Sequence, residues 1–282
     1  MRVVRRRPTT AFVLSGGASL GAVQVGMLTA LYERGITPDL IVGTSAGALN
    51  GAFIASRPQT VETAEELGAL WRGLRRNRVF PVDPFVGLLG FLGARDHLVP
   101  DRGLRRIVKA QLEADSLEEM PIPLHVIATD VLTGEDVRLS EGPALDAVMA
   151  SAAIPGVLPA VDWDGRALID GGVANNAPIS HAIELGATRV YVLPTGYACD
   201  LEEPPGSALA MLVHATSLLT QHRLRADAIE FAGLCELVVL PPPCPLAVAP
   251  FDFSQAKTLI DRALEDTRAF LDRRDAPMPR AA

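Results

Sequence analysis

The chain has 282 residues, of which 49% are hydrophobic and 5% aromatic, and its net charge is −7. That length accommodates one large α/β unit or two small ones, with a core built mainly from Ala, Val, Leu and Ile. The acidic balance excludes a generally basic nucleic-acid footprint, and no run of about 18 apolar residues suggests a membrane-spanning helix.

Arg2 and Arg5 to Arg7 open the chain as a solvated basic tail able to touch anionic lipid. The apolar run after Pro8 is too short for a secretory leader, and Gly16-Gly17 breaks it. AFVLS (11–15) reads as a buried strand. Ala22, Val25, Leu28, Thr29 and Tyr32 then recur at helical spacing, with a stop at Gly35. DLIVG (39–43) is a second strand and ALNGAFIAS (48–56) a second helix, ended near Pro58. An amphipathic helix is expected over 61–77. PFVGLLGFLG (84–93) fits either an apolar lid or acyl-chain wall, or a buried core helix. Helix resumes at GLRRIVKAQL (103–112). LHVIATDV (124–131) turns at Thr133-Gly134 into DVRLS (136–140). ALDAVMASAAI (144–154) is a short helix closed by Pro155, and VDWDGRALIDGG (161–172) a hairpin through Asp164-Gly165. RVYVLPT (189–195) and ELVVL (236–240) are strands, helices fill 207–232 and 254–273, and the tail 275–282 frays. The alternation predicts a mainly parallel sheet with helices on its faces. With no repeat and no linker, one domain is expected over 1–282, its motif-bearing core at about 10–192.

Two glycine turns carry the chemistry. GTSAG (43–47) follows a strand and precedes a helix, where a nucleophile elbow has to sit. Gly43 and Gly47 remove side chains that would clash, and the turn lifts the Ser45 hydroxyl to a helix N-terminus. A glycine-flanked turn with a capping serine has the same five letters. SGGASLG (15–21) occupies a second strand-to-helix turn. The amides of Gly16, Gly17 and Ala18 can converge on an anion as an oxyanion hole. A dinucleotide fingerprint and a P-loop both fail on spacing, because this is G-G-x-x-x-G followed by Ala22. Asp170 ends an apolar strand at Gly171-Gly172, either as a base or as a turn residue bonding its own backbone. None of His97, His125, His181, His214 and His222 lies in a motif that explains it. Cys199, Cys235 and Cys244 are scattered and odd in number, which predicts reduced thiols and a cytoplasmic protein. No metal or other cofactor is expected, since neither zinc spacing nor a carboxylate-rich calcium loop is present.

Taken together, LSGGASLGAVQVGML, IVGTSAGALNGA, ATDVLTGE, SAAIPGVLP and IDGGVANNAPI resemble, in order and spacing, the bacterial patatin-like phospholipases, from about Thr10 to Val192. The resemblance implies a three-layer α/β/α fold and a Ser–Asp dyad without histidine. Ser45 would be the nucleophile, Asp170 its base, and Gly16, Gly17 and Ala18 the oxyanion donors, with Asn175 and Asn176 holding the Asp170 turn. It implies a lipid acyl-ester hydrolase working through an acyl-serine, or an acyltransferase passing the same acyl group to an alcohol. The implied partners are a lipid or acyl ester and a peripheral membrane surface, not nucleic acid. Two positions depart from the family's loop: Ala18 replaces a third glycine and Leu20 a basic residue. The lost cation predicts a shift toward neutral esters, which Leu20→Arg would reverse.

Overall fold

The computed structural model describes residues 9–196, 199, 203–206, 208–246 and 248–276. Its strands are β1 (Thr10–Leu14), β2 (Leu40–Thr44), β3 (Leu124–Asp130), β4 (Asp136–Leu139), β5 (Val161–Trp163), β6 (Arg166–Asp170), β7 (Arg189–Leu193) and β8 (Glu236–Val239). They form one eight-stranded sheet in the order β5-β6-β3-β2-β1-β7-β8, with β4 beside β3. The run from β3 to β8 is parallel, and β4, β5 and β6 are antiparallel additions at one end.

The helices are α1 (Ala22–Glu33), α2 (Ala46–Ala55), α3 (Val61–Gly73), α4 (Arg76–Val79), α5 (Pro84–Phe91), α6 (Arg102–Gln111), α7 (Ala144–Ser151), α8 (Ile179–Glu184), α9 (Ala208–Phe231) and α10 (Ala256–Asp275). Strand alternation sorts the side chains into two cores, because successive residues point to opposite faces. Phe12 and Leu14 of β1, Ile41 of β2 and Tyr191 and Leu193 of β7 face α1, α2, α3 and α10. Ala11, Val13, Val42, Val190 and Val192 face α8 and α9. The result is a three-layer α/β/α sandwich. α1 is buried along all but its last residue, since α3 and α10 cover the face turned away from the sheet. An amphipathic stripe would be wrong for a helix in that position, and its sequence is apolar nearly all round.

The register of β3 positions the site. β4 pairs with Val126–Thr129, so β4 occupies one edge of β3 along that stretch. β2 pairs with residues up to Ile127 and β6 with residues from Ala128 onward. A strand has two edges, so β2 and β6 share the edge opposite β4 and meet end to end. Thr44 stands opposite Ile127 and Asp170 opposite Ala128.

Four sequence expectations are corrected. The helix expected over 61–77 stops at Gly73, and Leu74 turns extended before the short α4. The stretch 84–93 is helical but is not a core helix: within α5 only Val86 is buried, and Phe85 and Phe91 are 66% and 84% exposed. α8 falls where no element was expected, although Pro178 at its start and Gly186 at φ 86° after its end are ordinary helix boundaries. Cys199 and Cys244 are joined in a disulfide, leaving Cys235 as the free cysteine among the described residues. The backbone amide of Leu246 donates to the Cys199 carbonyl, so the two loops cross despite a separation of 45 residues. A paired Cys199 and Cys244 gives no support to the expected reduced thiols, and the cysteines do not indicate a reducing compartment. The basic start (1–8) and the end of the tail (277–282) lie outside the described residues.

Candidate active site

Ser45 is the single residue between β2 and α2, and its backbone adopts φ 55°, ψ −120°. A non-glycine residue in such a region is strained by roughly 1–3 kcal/mol and stays there only if its surroundings insist. Three contacts insist. Gly47 packs so closely on β1 that an added Cβ would sit 2.1 Å from the Leu14 carbonyl oxygen. Gly43 faces α2 with a would-be Cβ 2.7 Å from the Gly47 carbonyl oxygen. The Ser45 amide donates to Ser151 Oγ at 2.8 Å, and Ser151 Oγ donates in turn to the Ile127 carbonyl at 2.5 Å. Ser151, on α7, thus ties the elbow to β3.

Asp170 meets Ser45 at the junction of β6 and β2. Ser45 Oγ donates to Asp170 Oδ2 at 2.6 Å, and the Gly172 amide donates to Asp170 Oδ1 at 2.8 Å. Thr129 Oγ1 donates to the Asp170 carbonyl, and the Asp170 amide to the Ala153 carbonyl, so the backbone is held on both sides. Gly171 leaves no room for a side chain, because a Cβ would lie 2.1 Å from the Ile127 carbonyl oxygen. Burial pushes the Asp170 carboxyl up from 3.8 to about 6, against the opposing hydrogen bonds from Ser45 and Gly172. Desolvation therefore outweighs the dipoles and donors around it. None of the five histidines hydrogen-bonds to Ser45 or Asp170. His97 pairs with Asp96, His125 with Ser140, and His181 with Asp136.

The glycine loop stands against the hydroxyl, since a Cβ on Gly16 would lie 3.0 Å from Ser45 Cβ. Of the three amides expected to face an oxyanion, that of Gly16 is already engaged within the chain. Gly16 donates its amide to the Asn176 carbonyl at 3.2 Å and accepts Thr195 Oγ1 at 2.6 Å. The amides of Gly17 and Ala18 donate to no described residue. Ala18 sits at φ 49°, the conformation a third glycine would adopt without strain. Gly17 is needed for space, because a Cβ would strike Thr195 Oγ1 at 2.2 Å. A buried network secures the loop from behind. Trp71 Nε1 donates to Asn50 Oδ1, Asn50 Nδ2 to Gln24 Oε1 and to the Gly21 carbonyl, and Gln24 Nε2 to the Ser15 and Leu193 carbonyls.

The family model described as Patatin-like phospholipase matches residues 12–183, which contain the elbow, the glycine loop and the Asp170 turn. The chain belongs to the patatin-like phospholipase family. It is 32% identical over 174 residues to an uncharacterized NTE family protein of Mycobacterium tuberculosis, covering 61% of this chain and 45% of that protein. It is 27% identical over 195 residues to lysophospholipase NTE1 of Mycosarcoma maydis, covering 67% of this chain and 10% of that protein. The chain thus spans less than half the length of these curated relatives. Among solved structures, VipD from Legionella pneumophila superposes with a TM-score of 0.52 at 17% identity, covering 95% of this chain and 67% of that one, a likeness of fold.

Within this patatin-like site, Ser45 opens onto a narrow apolar cavity of about 50 Å³. Trp71, Leu74, Val79, Phe80, Leu104 and Phe253 form much of its wall, and no charged side chain lines it. The segment 84–93 contributes nothing to that wall, which corrects the acyl-wall expectation. Leu20 is 2% exposed and packed in the core, not at the cavity. Leu20 therefore has no direct contact through which to favour neutral esters, because its side chain does not line the cavity. Leu20→Arg is expected to destabilise the fold by about 3 kcal/mol or more, by burying an unpaired cation. Thermal unfolding of the variant checks this; an unchanged midpoint would show that the position can open to solvent. Asn175 holds the Asp170 turn through its backbone, whose N–H donates to the Gly171 carbonyl and whose carbonyl accepts Thr44 Oγ1, while its side-chain amide donates to Asp136 Oδ2. Ser151 and Thr195 were missed, although Ser151 lies in the SAAIP block; a serine three residues before Ile154 has no signal of its own.

Proposed function

We propose that the protein is a lipid acyl hydrolase that cleaves carboxylic esters through Ser45 and Asp170. The observation that carries this reading is the 2.6 Å hydrogen bond to the buried Asp170 carboxyl from the Oγ of Ser45, a residue that lines an apolar cavity. The family's name and the lysophospholipase name of the fungal relative support the substrate class. In the forward step Ser45 Oγ attacks the ester carbonyl while Asp170 Oδ2 takes its proton. The tetrahedral oxyanion is held by the amides of Gly17 and Ala18, with the N-terminus of α2 beneath it. The alcohol leaves with the proton returned by Asp170. A water then loses its proton to Asp170 and attacks the acyl-serine, which restores the hydroxyl. The described chain acts as one catalytic unit, because the nucleophile, base and oxyanion donors come from three segments of one sheet.

A carboxylate at its ordinary value would be a weak base for serine, and the upward displacement to about 6 makes this one more basic. Asp170 must be ionised to accept a proton. Esterase kcat/KM is therefore expected to rise with pH through about 6 and level off above it. The test is a pH profile on a panel of acyl esters of graded chain length. A wild-type protein inert on every ester would sink the hydrolase reading, and a flat profile across pH 5–8 would remove Asp170 as the base.

A further inference from the structure

We propose that the surface built from α4, α5 and α6 docks the protein on an anionic lipid membrane. The proposal deepens the hydrolase reading, on which it rests for its purpose. Between Arg72 and Lys109 the chain carries nine Arg and Lys against three Asp, although its net charge is −7. All three aspartates are paired: Asp83 with Arg102, Asp96 with His97 and Asp101 with Arg105. Arg76, Arg78, Arg95, Arg106 and Lys109 make no ion pair among the described residues and are exposed. A solvated positive field is thus concentrated on one part of an acidic protein, which would orient it toward a negative surface.

The same part carries exposed apolar side chains. Val82 and Phe91 are each 84% exposed, with Phe85 at 66% and Leu92 at 67%. The pieces are contiguous. A Cβ on Gly103 of α6 would lie 2.3 Å from the Arg78 carbonyl oxygen at α4, and Arg102 of α6 bonds Asp83, the N-cap of α5. Basic and apolar groups side by side supply the two signals that hold a protein on a bilayer: attraction to anionic headgroups and insertion of apolar side chains. A soluble polyanion would use only the first. The inner sides of two of these helices end in the cavity. Val79 of α4 and Leu104 and Ile107 of α6 line the space in front of Ser45. Docking by the outer side therefore sets the cavity beside the bilayer that holds the acyl donor.

The test uses the full chain carrying Ser45→Ala, so that vesicles stay intact. Sedimentation is measured with vesicles of phosphatidylcholine and phosphatidylglycerol in equal parts, and of phosphatidylcholine alone. Partition should be at least about tenfold stronger on the anionic vesicles and should fall as salt rises. Phe85→Ser with Phe91→Ser, and separately Arg76→Gln with Arg78→Gln, should each weaken it by about tenfold or more. These four side chains are exposed, and matched thermal unfolding verifies the folded state. Equal partition on both vesicles, no partition on either, or unchanged partition in both variants would overturn the proposal. So would a concentration-dependent dimer abolished by the phenylalanine changes without vesicle binding, which would assign the face to a second copy. Hydrolysis of a water-soluble ester by the wild-type protein is read separately. Its absence alongside anionic vesicle binding would sink the hydrolase reading and leave the docking surface standing.

Discussion

Ser45→Ala is expected to lower ester hydrolysis by about 10⁴-fold or more, with folding retained. The size of the effect follows from the absence of a substitute. Ser45 Oγ is the hydroxyl bonded to Asp170 Oδ2, and Ser151, the nearest hydroxyl along its hydrogen bonds, is engaged by the Ser45 amide and the Ile127 carbonyl. What would survive is acceleration from binding and from the oxyanion donors. Alanine meets the same φ of 55° that serine meets, so the backbone strain is unchanged and the fold should not suffer. Initial rates on the preferred ester, together with mass analysis after a fluorophosphonate probe, check this. The wild type should gain one adduct on Ser45 and the variant none. A variant that keeps most of its activity would reduce GTSAG to a turn.

Asp170→Asn should lower kcat by about 10²–10⁴-fold and at the same time make the protein more stable near neutral pH. The two effects share a cause. The carboxyl titrates near 3.8 when unfolded and near 6 when folded. The folded state therefore holds the proton more tightly, and the stability this contributes is complete below pH 3.8 and is lost as pH rises through about 6. At pH 8 the wild type carries a buried charge costing on the order of 2–3 kcal/mol. Asparagine carries none, and it can still accept the Gly172 amide. The variant's melting temperature should exceed that of the wild type by several degrees at pH 8, with the gap closing toward pH 4. A variant less stable at pH 8 would mean that the Ser45 and Gly172 hydrogen bonds outweigh desolvation.

Much of this architecture was legible because it is written locally. Apolar runs ending in glycine at 14–17 and 42–47 mark strands that stop at tight turns, and the alternation of strands and helices marks the layers. Ser45 and Asp170 could be singled out because both stand at strand ends beside glycine. What escaped depends on distant parts of the chain. The amide of Gly16 looks free in sequence, yet Asn176, 160 residues away, takes it. Cys199 and Cys244 look unrelated until two loops cross. Apolar content left 84–93 open between a lid, an acyl wall and a core helix, and nothing in the run itself says that its side chains face solvent. Leu20 was misjudged for a similar reason: a position in a motif does not disclose which way its side chain points.

The end-to-end meeting of β2 and β6 on one edge of β3 makes the separation of Ser45 and Asp170 a property of two adjacent β3 residues, Ile127 and Ala128. The chain that links β3 to β6, 131–165, adds β4 and β5 to the sheet and carries α7, where Ser151 takes the Ser45 amide, while Ala153 just beyond takes the Asp170 amide. Outside those two contacts its length does not set the spacing of the pair, so grafting or trimming can be absorbed in the exposed turn at Asp164-Gly165 while Ser45 and Asp170 keep theirs. A bulge of a single residue at 127–128 has no such tolerance. It would slide one strand past the other by about 3.3 Å, more than the length of the hydrogen bond that the pair depends on.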